Sequence, residues 1–271
     1  MMSEARTLVM IPTYNESENV EVIASGVLAS ATDADLLFVD DGSPDGTGAI
    51  LDRLARACPR LQVLHRAGKL GIGSAHKAGI RWAYEHGYTR LVTMDSDLSH
   101  SPSDIPRLLA ASNDADVVVG SRFAEANSLE GWAWTRKLLT HLGHRLTTIF
   151  LQLPQDCTNA FRVYRLDRIP ADFFETVQST SYSFFLESLH RLNISGFGIS
   201  QVAIKLPPRT YGHSKMRLKD IAYSVRVILQ LAWRTRSNRT SMVYAAPRSG
   251  RDVAEQAQAD RAVTPPRCAR Q

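Results

Sequence analysis

Five short apolar runs, separated by amphipathic stretches, constrain the first 120 residues of this chain more than any other feature. TLVMIP (7–12), DLLFVD (35–40), LQVLHR (61–66), RLVTMD (90–95) and ADVVVG (115–120) are brief, apolar and closed by polar or glycine-bearing segments. That pattern fits strands buried on both faces. Between them lie helical patterns. Val20, Ile23 and Val27 share one face behind Asn15, which with Glu18 resembles a capping pair, and further helices are expected at 47–57, 73–86 and 104–112. Strand–helix alternation of this kind predicts an α/β fold, a mostly parallel sheet with helices on both faces.

The pattern then changes. Residues 132–152 form one long amphipathic segment with Trp134, Leu138, Leu142 and Leu146 on a common face, which suits either a lipid interface or a core. A strand is expected at 160–165, a helix at 182–193, a strand at 200–206, a loop at 207–215 and a last helix at 217–233. The 271 residues, 44% of them hydrophobic, suit one large domain with an appendage. We divide them into a folded domain (1–216), an amphipathic helix fit for a membrane interface (217–233) and an arginine-rich tail expected to be disordered (234–271). The tail's eight arginines against three acids account for the whole net charge of +5. The neutral body is therefore not a nucleic-acid binder, and the tail is the part suited to an anionic surface. No run reaches the roughly 20 apolar residues of a membrane span, and no secretory leader is expected. Cys58, Cys157 and Cys268 have neither a disulfide framework nor metal-ligand spacing, so a reducing compartment is expected.

In open α/β sheets ligands bind outside the carboxyl ends of the strands. Four consecutive strand ends here carry polar clusters: PTYNE (12–16), DDGSPDGT (40–47), RAGKLGIG (66–73) and DSDLSH (95–100). Any one could be an ordinary turn; four on one edge indicate a ligand site. Asp95 and Asp97 alternate at a strand end, where two hard carboxylates can share Mg²⁺ or Mn²⁺ and leave positions for phosphate oxygens. GKLGIG lacks the full phosphate-loop spacing, yet Lys69 among its glycines suits a diphosphate. Arg122 follows the fifth strand. Arg136 and Thr140, four apart, share a helix face as a phosphate clamp requires, and Arg209 and Lys215 flank a glycine-containing loop.

Taken together, PTYNE, VDDGSPDGT, GKLGIGSA, MDSDLSH, GSRF, the Trp132-to-Arg136 spacing, DCTNAFRVY, YSFFLE and PPRTYGHSK stand in the order found in dolichyl-phosphate mannosyltransferases. The chain resembles that branch of glycosyltransferase family 2 over about residues 7–217. The resemblance implies a GT-A fold and metal-dependent transfer of mannose from GDP-mannose to a polyprenyl phosphate, with inversion, at the cytoplasmic face of a membrane. Carried over by motif, Pro12, Tyr14, Glu16 and Asp40 or Asp41 contact the nucleotide, and Asp95 and Asp97 serve metal and diphosphate. Arg122, Arg136 and Thr140 then hold the acceptor phosphate, while Arg209 and Lys215 lie over the donor diphosphate. The sequence departs from the family's pattern at Gly42 (usually Asn), Thr140 (usually Ser), TNAFR at 158–162 (usually TSGFR), Gln201 (commonly Glu) and Leu206 (commonly Phe). The R/Q-x-x-R-W motif of processive relatives is missing, so one sugar per event is expected. The alternative is the same donor site acting on a hydroxyl acceptor. Without spanning helices the chain is expected to sit peripherally on the membrane, alone or beside a membrane-protein partner.

Overall fold

The computed structural model describes residues 5–125, 128–129, 131–132, 134–206 and 218–244. Arg209, Lys215 and residues 245–271 of the tail lie outside the described residues. Seven strands form one sheet: β1 (Thr7–Thr13), β2 (Ala34–Asp40), β3 (Leu61–His65), β4 (Arg90–Thr93), β5 (Val117–Ser121), β6 (Arg162–Arg165) and β7 (Ile199–Ala203), in the order β3-β2-β1-β4-β6-β5-β7. The helices are α1 (Val20–Ser30), α2 (Thr47–Ala57), α3 (Ile72–Glu85), α4 (Ile105–Ala111), α5 (Trp134–Leu151), α6 (Ser183–Ile194), α7 (Leu218–Ser237) and the single turn α8 (Arg239–Met242).

Four of the five apolar runs are inner strands because both sheet faces are covered there; β3 instead lies at the edge of the sheet and buries only Leu61, so the expectation of burial on both faces fails for it. In β1, Leu8 and Met10 join one core with Ala75, Ile80, Phe184 and Leu189, while Val9 and Ile11 join the other with Ile23, Leu51 and Leu108. Side chains on a strand alternate faces, so a strand buried on both is apolar through its middle, with polar residues confined to its ends as Thr7 and Thr13 are in β1. Every residue of β1 is buried.

The sheet has one reversal. β6 runs antiparallel between β4 and β5, with Arg162 opposite both Thr93 and Val119, whereas the other neighbours pair in parallel. Its amino end therefore lies where β4 and β5 have their carboxyl ends. The segment 156–161 is delivered to that edge, fastened by Thr93 Oγ1 donating to Ala160 O (2.6 Å) and Gly120 N–H to Phe161 O (2.8 Å).

Two expectations shift, and of the two readings of the 132–152 segment the core one falls. Asn15 does not cap α1: its φ is +54°, its N–H donates to Ser43 Oγ (3.0 Å), and the helix starts behind Asn19. The last long helix does not stop at 233 but runs to Ser237, and α8 follows with Met242 buried. The expected tail thus gives up its first eleven residues to described structure, because Met242 and Tyr244 pack on the core beneath α7. The common face of α5 is not core: Trp134, Leu138 and Leu142 are exposed, and only Leu146 turns inward.

Candidate active site

The loops leaving β1 and β2 are laced together. The N–H groups of Asn15, Glu16 and Ser17 donate to Ser43 Oγ, Thr47 Oγ1 and Asp45 Oδ2 at 3.0, 3.0 and 3.2 Å. Asp45 in turn accepts from the N–H (3.1 Å) and hydroxyl (2.6 Å) of Thr47. This brings Pro12, Tyr14 and Glu16 alongside Asp40 and Asp41. The two aspartates are buried and differently occupied. Asp40 accepts from the Ser43 hydroxyl (2.6 Å) and faces His65, whereas Asp41 is bridged by Arg66 Nη1 at 2.6 Å. Burial raises the Asp41 pKa against the lowering effect of Arg66. Lys69 places its ammonium 4.3 Å from the centre of the Tyr14 ring, at the mouth of the same edge.

Two of the three glycines of GKLGIG, Gly71 and Gly73, are required by close packing. A Cβ at Gly71 would lie 2.5 Å from Thr180 O, and one at Gly73 would lie 2.6 Å from Phe184 Cβ. Ser74 N–H donates to Thr180 O (3.1 Å). The loop is thus closed by the chain entering α6, and Lys69 is the part of it that reaches the ligand edge.

β4 ends at Thr93, so Asp95 and Asp97 stand beyond it. Asp97 Oδ1 accepts from the N–H (3.1 Å) and hydroxyl (2.5 Å) of Ser99, which holds a turn in which Leu98 takes φ +61°. A bulky side chain in that region costs about 1–3 kcal/mol, so the surroundings over-determine the turn. Asp97 is buried while the Asp95 side chain is 37% exposed. Among the described residues no three His, Cys, Asp or Glu side chains converge on one point. Two hard carboxylates at a ligand edge fit a divalent ion that completes its shell with diphosphate oxygens and water.

On the other side, Arg122 leaves β5 and meets the delivered segment 156–161. Its Nε and Nη2 donate to the two carboxylate oxygens of Asp156 at 2.7 Å each, its backbone N–H donates to Asp156 Oδ2 (3.1 Å), and Nη2 also donates to Thr158 Oγ1. Burial opposes ionisation of Asp156, yet the Arg122 charge and its hydrogen bonds outweigh it and hold the carboxyl below its usual range. Burial likewise works against the Arg122 charge, and Asp156 more than restores it. Arg122 is therefore a compensated cation held along its Nε–Nη2 edge, with Nη1 making no hydrogen bond among the described residues. Sequence reasoning, which saw it as a free phosphate ligand, missed Asp156. The available signal was the acid that opens DCTNAF, just ahead of the strand expected at 160–165.

Arg136 and Thr140 lie on α5. The Arg136 guanidinium stacks 3.5 Å from the Trp132 ring centre, and Trp132 Nε1 donates to Leu206 O (2.9 Å). Phe123, next to Arg122, stacks on His144 of α5 with centroids 3.9 Å apart. The helix carrying Arg136 is thereby fastened to the strand end carrying Arg122. Burial lowers the His144 pKa.

A glycosyl transferase family 2 model matches residues 8–169. The chain belongs to that family. It is 38% identical to a polyprenol monophosphomannose synthase of Mycolicibacterium smegmatis over 237 residues, 86% of this chain and 89% of the relative. It is 40% identical to an undecaprenyl-phosphate mannosyltransferase of Micrococcus luteus over 212 residues, 78% of this chain and 87% of the relative. Among solved structures, glucosyl-3-phosphoglycerate synthase from Mycobacterium tuberculosis, in complex with Mn²⁺, UDP and phosphoglyceric acid, superposes with a TM-score of 0.60 at 17% identity. That match covers 90% of this chain and 81% of the other, and it supports the GT-A fold of this family 2 member.

Proposed function

We propose that this protein transfers a single mannosyl residue from GDP-mannose to a polyprenyl phosphate, with inversion and with a divalent metal, while resting on the cytoplasmic face of a membrane. The observation that carries the reading is the apposition of a cationic strand end to an unburied apolar helix. Arg136 shares α5 with the exposed side chains of Trp134, Leu138, Leu142 and Ile149. Beside it α7, packed on α5, exposes Tyr223, Leu229 and Trp233. A phosphate on a long isoprenoid chain is an amphiphile of that description. The names of the two relatives agree with it.

The chemistry follows from the acceptor. A phosphate monoester with a second pKa near ~6 is mostly dianionic at neutral pH and attacks without losing a proton to a base. One of its oxygens bonds to the sugar's anomeric carbon as the bond from that carbon to the diphosphate breaks. The bonding pair departs with the nucleoside diphosphate, and attack from the opposite face inverts the centre. What the chain must supply is relief of repulsion between two anions. Arg122 Nη1 and Arg136 offer charge-assisted hydrogen bonds worth about 1.5–3 kcal/mol each, with Thr140 adding a hydroxyl. Asp95 and Asp97 would hold Mg²⁺ or Mn²⁺, which when bound stabilises charge on the departing diphosphate. Tyr14, Glu16, Asp40, Asp41 and Lys69 form the donor side, and Arg209 and Lys215 are proposed to complete it.

The occupied carboxylates also favour a phosphate acceptor. Asp156 is committed to Arg122. Glu187 accepts from Gln178 N–H, from both donors of Ser179 and from Arg191 Nε at 2.6–3.0 Å. Neither is available as the base a hydroxyl acceptor would need. The test is incubation of purified protein with Mn²⁺ or Mg²⁺, GDP-mannose and a short polyprenyl phosphate, beside UDP-glucose, with the glycolipid read by mass spectrometry. Mannosylated lipid that disappears in Asp97→Ala supports the proposal. Tight metal-dependent nucleotide binding with no lipid product would transfer it to a hydroxyl acceptor.

A further inference from the structure

Two buried side chains that no role yet covers join the donor and acceptor halves of the site. The turn at Leu98 carries His100 back beneath Asp95, where its ring is 2% exposed and stacks on Phe161 with centroids 5.1 Å apart. Asp95 N–H donates to His100 Nδ1 at 3.0 Å. Because Nδ1 accepts, the ring proton belongs on Nε2, which donates to Asn159 Oδ1 at 2.8 Å. Asn159 is itself buried, and its Nδ2 donates to Gly120 O at 2.5 Å, while Oδ1 also accepts from Phe161 N–H at 3.2 Å. One tautomer and one amide orientation satisfy every partner. The Asp95 carboxylate is 3.9 Å from Nδ1, too far for a hydrogen bond, so the ring acts on the Asp95 backbone and not on its charge.

Gly120 is two residues ahead of Arg122. The chain of bonds therefore runs from the backbone of the carboxylate loop to the strand that presents the acceptor arginine. We propose that His100 and Asn159 are positioning residues which set the spacing between Asp95–Asp97 and Arg122, so that metal, diphosphate and incoming phosphate meet in one register. The proposal rests on the reading of Asp95 and Asp97 as metal and diphosphate ligands. A serine at position 159 would have one oxygen on a shorter stem and could not serve both His100 Nε2 and Gly120 O. Partners behind metal ligands are commonly worth 10–100-fold in metal affinity.

The experiment is calorimetric titration of the full chain with GDP in the presence of Mn²⁺, for the wild type and for Asn159→Ser, His100→Leu and His100→Asn, with thermal melting alongside. Asn159→Ser and His100→Leu are expected to weaken Mn²⁺-dependent GDP binding by about ten-fold, measured well below each Tm. His100→Asn keeps an acceptor near the position of Nδ1 and is expected to recover at least a third of the wild-type affinity. If Asn159→Ser and His100→Leu bind Mn²⁺ and GDP as the wild type does, with only Tm lowered, the residues merely fill the core and the proposal is overturned. Should His100→Leu fail to fold, Asn159→Ser carries the same test. A wild type that binds GDP equally with and without Mn²⁺, unchanged by Asp97→Ala, would instead remove the metal reading and this proposal with it.

Discussion

The pairing of Arg122 with Asp156 divides the site's cations into two kinds. The Arg122 guanidinium, held along one edge by a buried carboxylate, is a compensated charge, whereas the exposed Arg136 is stacked on the Trp132 ring. Removing Asp156 leaves the Arg122 charge buried without a counter-ion. Asp156→Ala is expected to cost about 3–5 kcal/mol of stability, seen as a drop in the denaturant midpoint. Arg136→Ala should leave stability nearly unchanged, since its side chain is exposed, while acceptor KM rises about ten-fold or more. Asp97→Ala is expected to abolish metal-dependent turnover, and the pH profile of kcat should lack a limb from a titrating carboxylate base. The placement of Asp95, Asp97 and Arg122 beyond strand ends was legible in the sequence because each follows an apolar run at a predictable edge. Asp156, His100 and Asn159 were not, because what defines them is a partner 34, 59 and 39 residues away and no local pattern encodes that contact.

Among the elements, α5 and α7 depart most from the ordinary economy of burial. Large side chains repeat at 134, 138 and 142 on α5 and at 225, 229 and 233 on α7, and all six are exposed. The opposite face of α7, with Val227, Ile228, Leu231 and Ala232, is core. Apolar residues at helical spacing thus fall on two faces of one helix, and periodicity alone could not say which face was inside. Among the described residues no helix is long and apolar enough to cross a membrane. An outward apolar face flanked by Lys137, Arg145 and Arg226 suits the interfacial layer of an anionic bilayer. Replacing Leu138 and Leu142 together with Glu is expected to reduce flotation with anionic vesicles by about ten-fold while Tm moves little, because neither side chain leaves a cavity. Unchanged flotation would assign the face to a protein partner.

At the scale of the molecule, two histidines make folding sensitive to acid. His76 is fully buried against Phe184 and Phe185; burial, helped by the Arg162 charge, lowers its pKa to about 3. Burial and then Arg191 lower the His190 pKa to about 4. The unfolded chain protonates both near 6.5, so between about pH 6.5 and 4 it binds more protons than the native state, and stability falls as pH drops. Each contributes up to about 1.4 kcal/mol per pH unit across its window. Tm measured from pH 7 to 4.5 should therefore decline, and His76→Phe should make the decline shallower. The same scale separates what sequence and tertiary structure each decide. Alternation of short apolar runs with amphipathic helices determines a parallel sheet covered on both faces, and with it the edge where Asp40, Asp95 and Arg122 emerge. The chain's periodicity suffices for this because burial on two faces leaves a strand few polar positions. The reversal of β6 belongs to the tertiary structure alone. The polar–apolar–apolar–polar pattern of Arg-Val-Tyr-Arg is the same in either direction, and only its fit between β4 and β5 sets the direction. That choice delivers Asp156 to Arg122 and Asn159 to His100. It converts a row of separate polar loops into one site, because hydrogen bonds between distant segments form only once the sheet has brought their strand ends together.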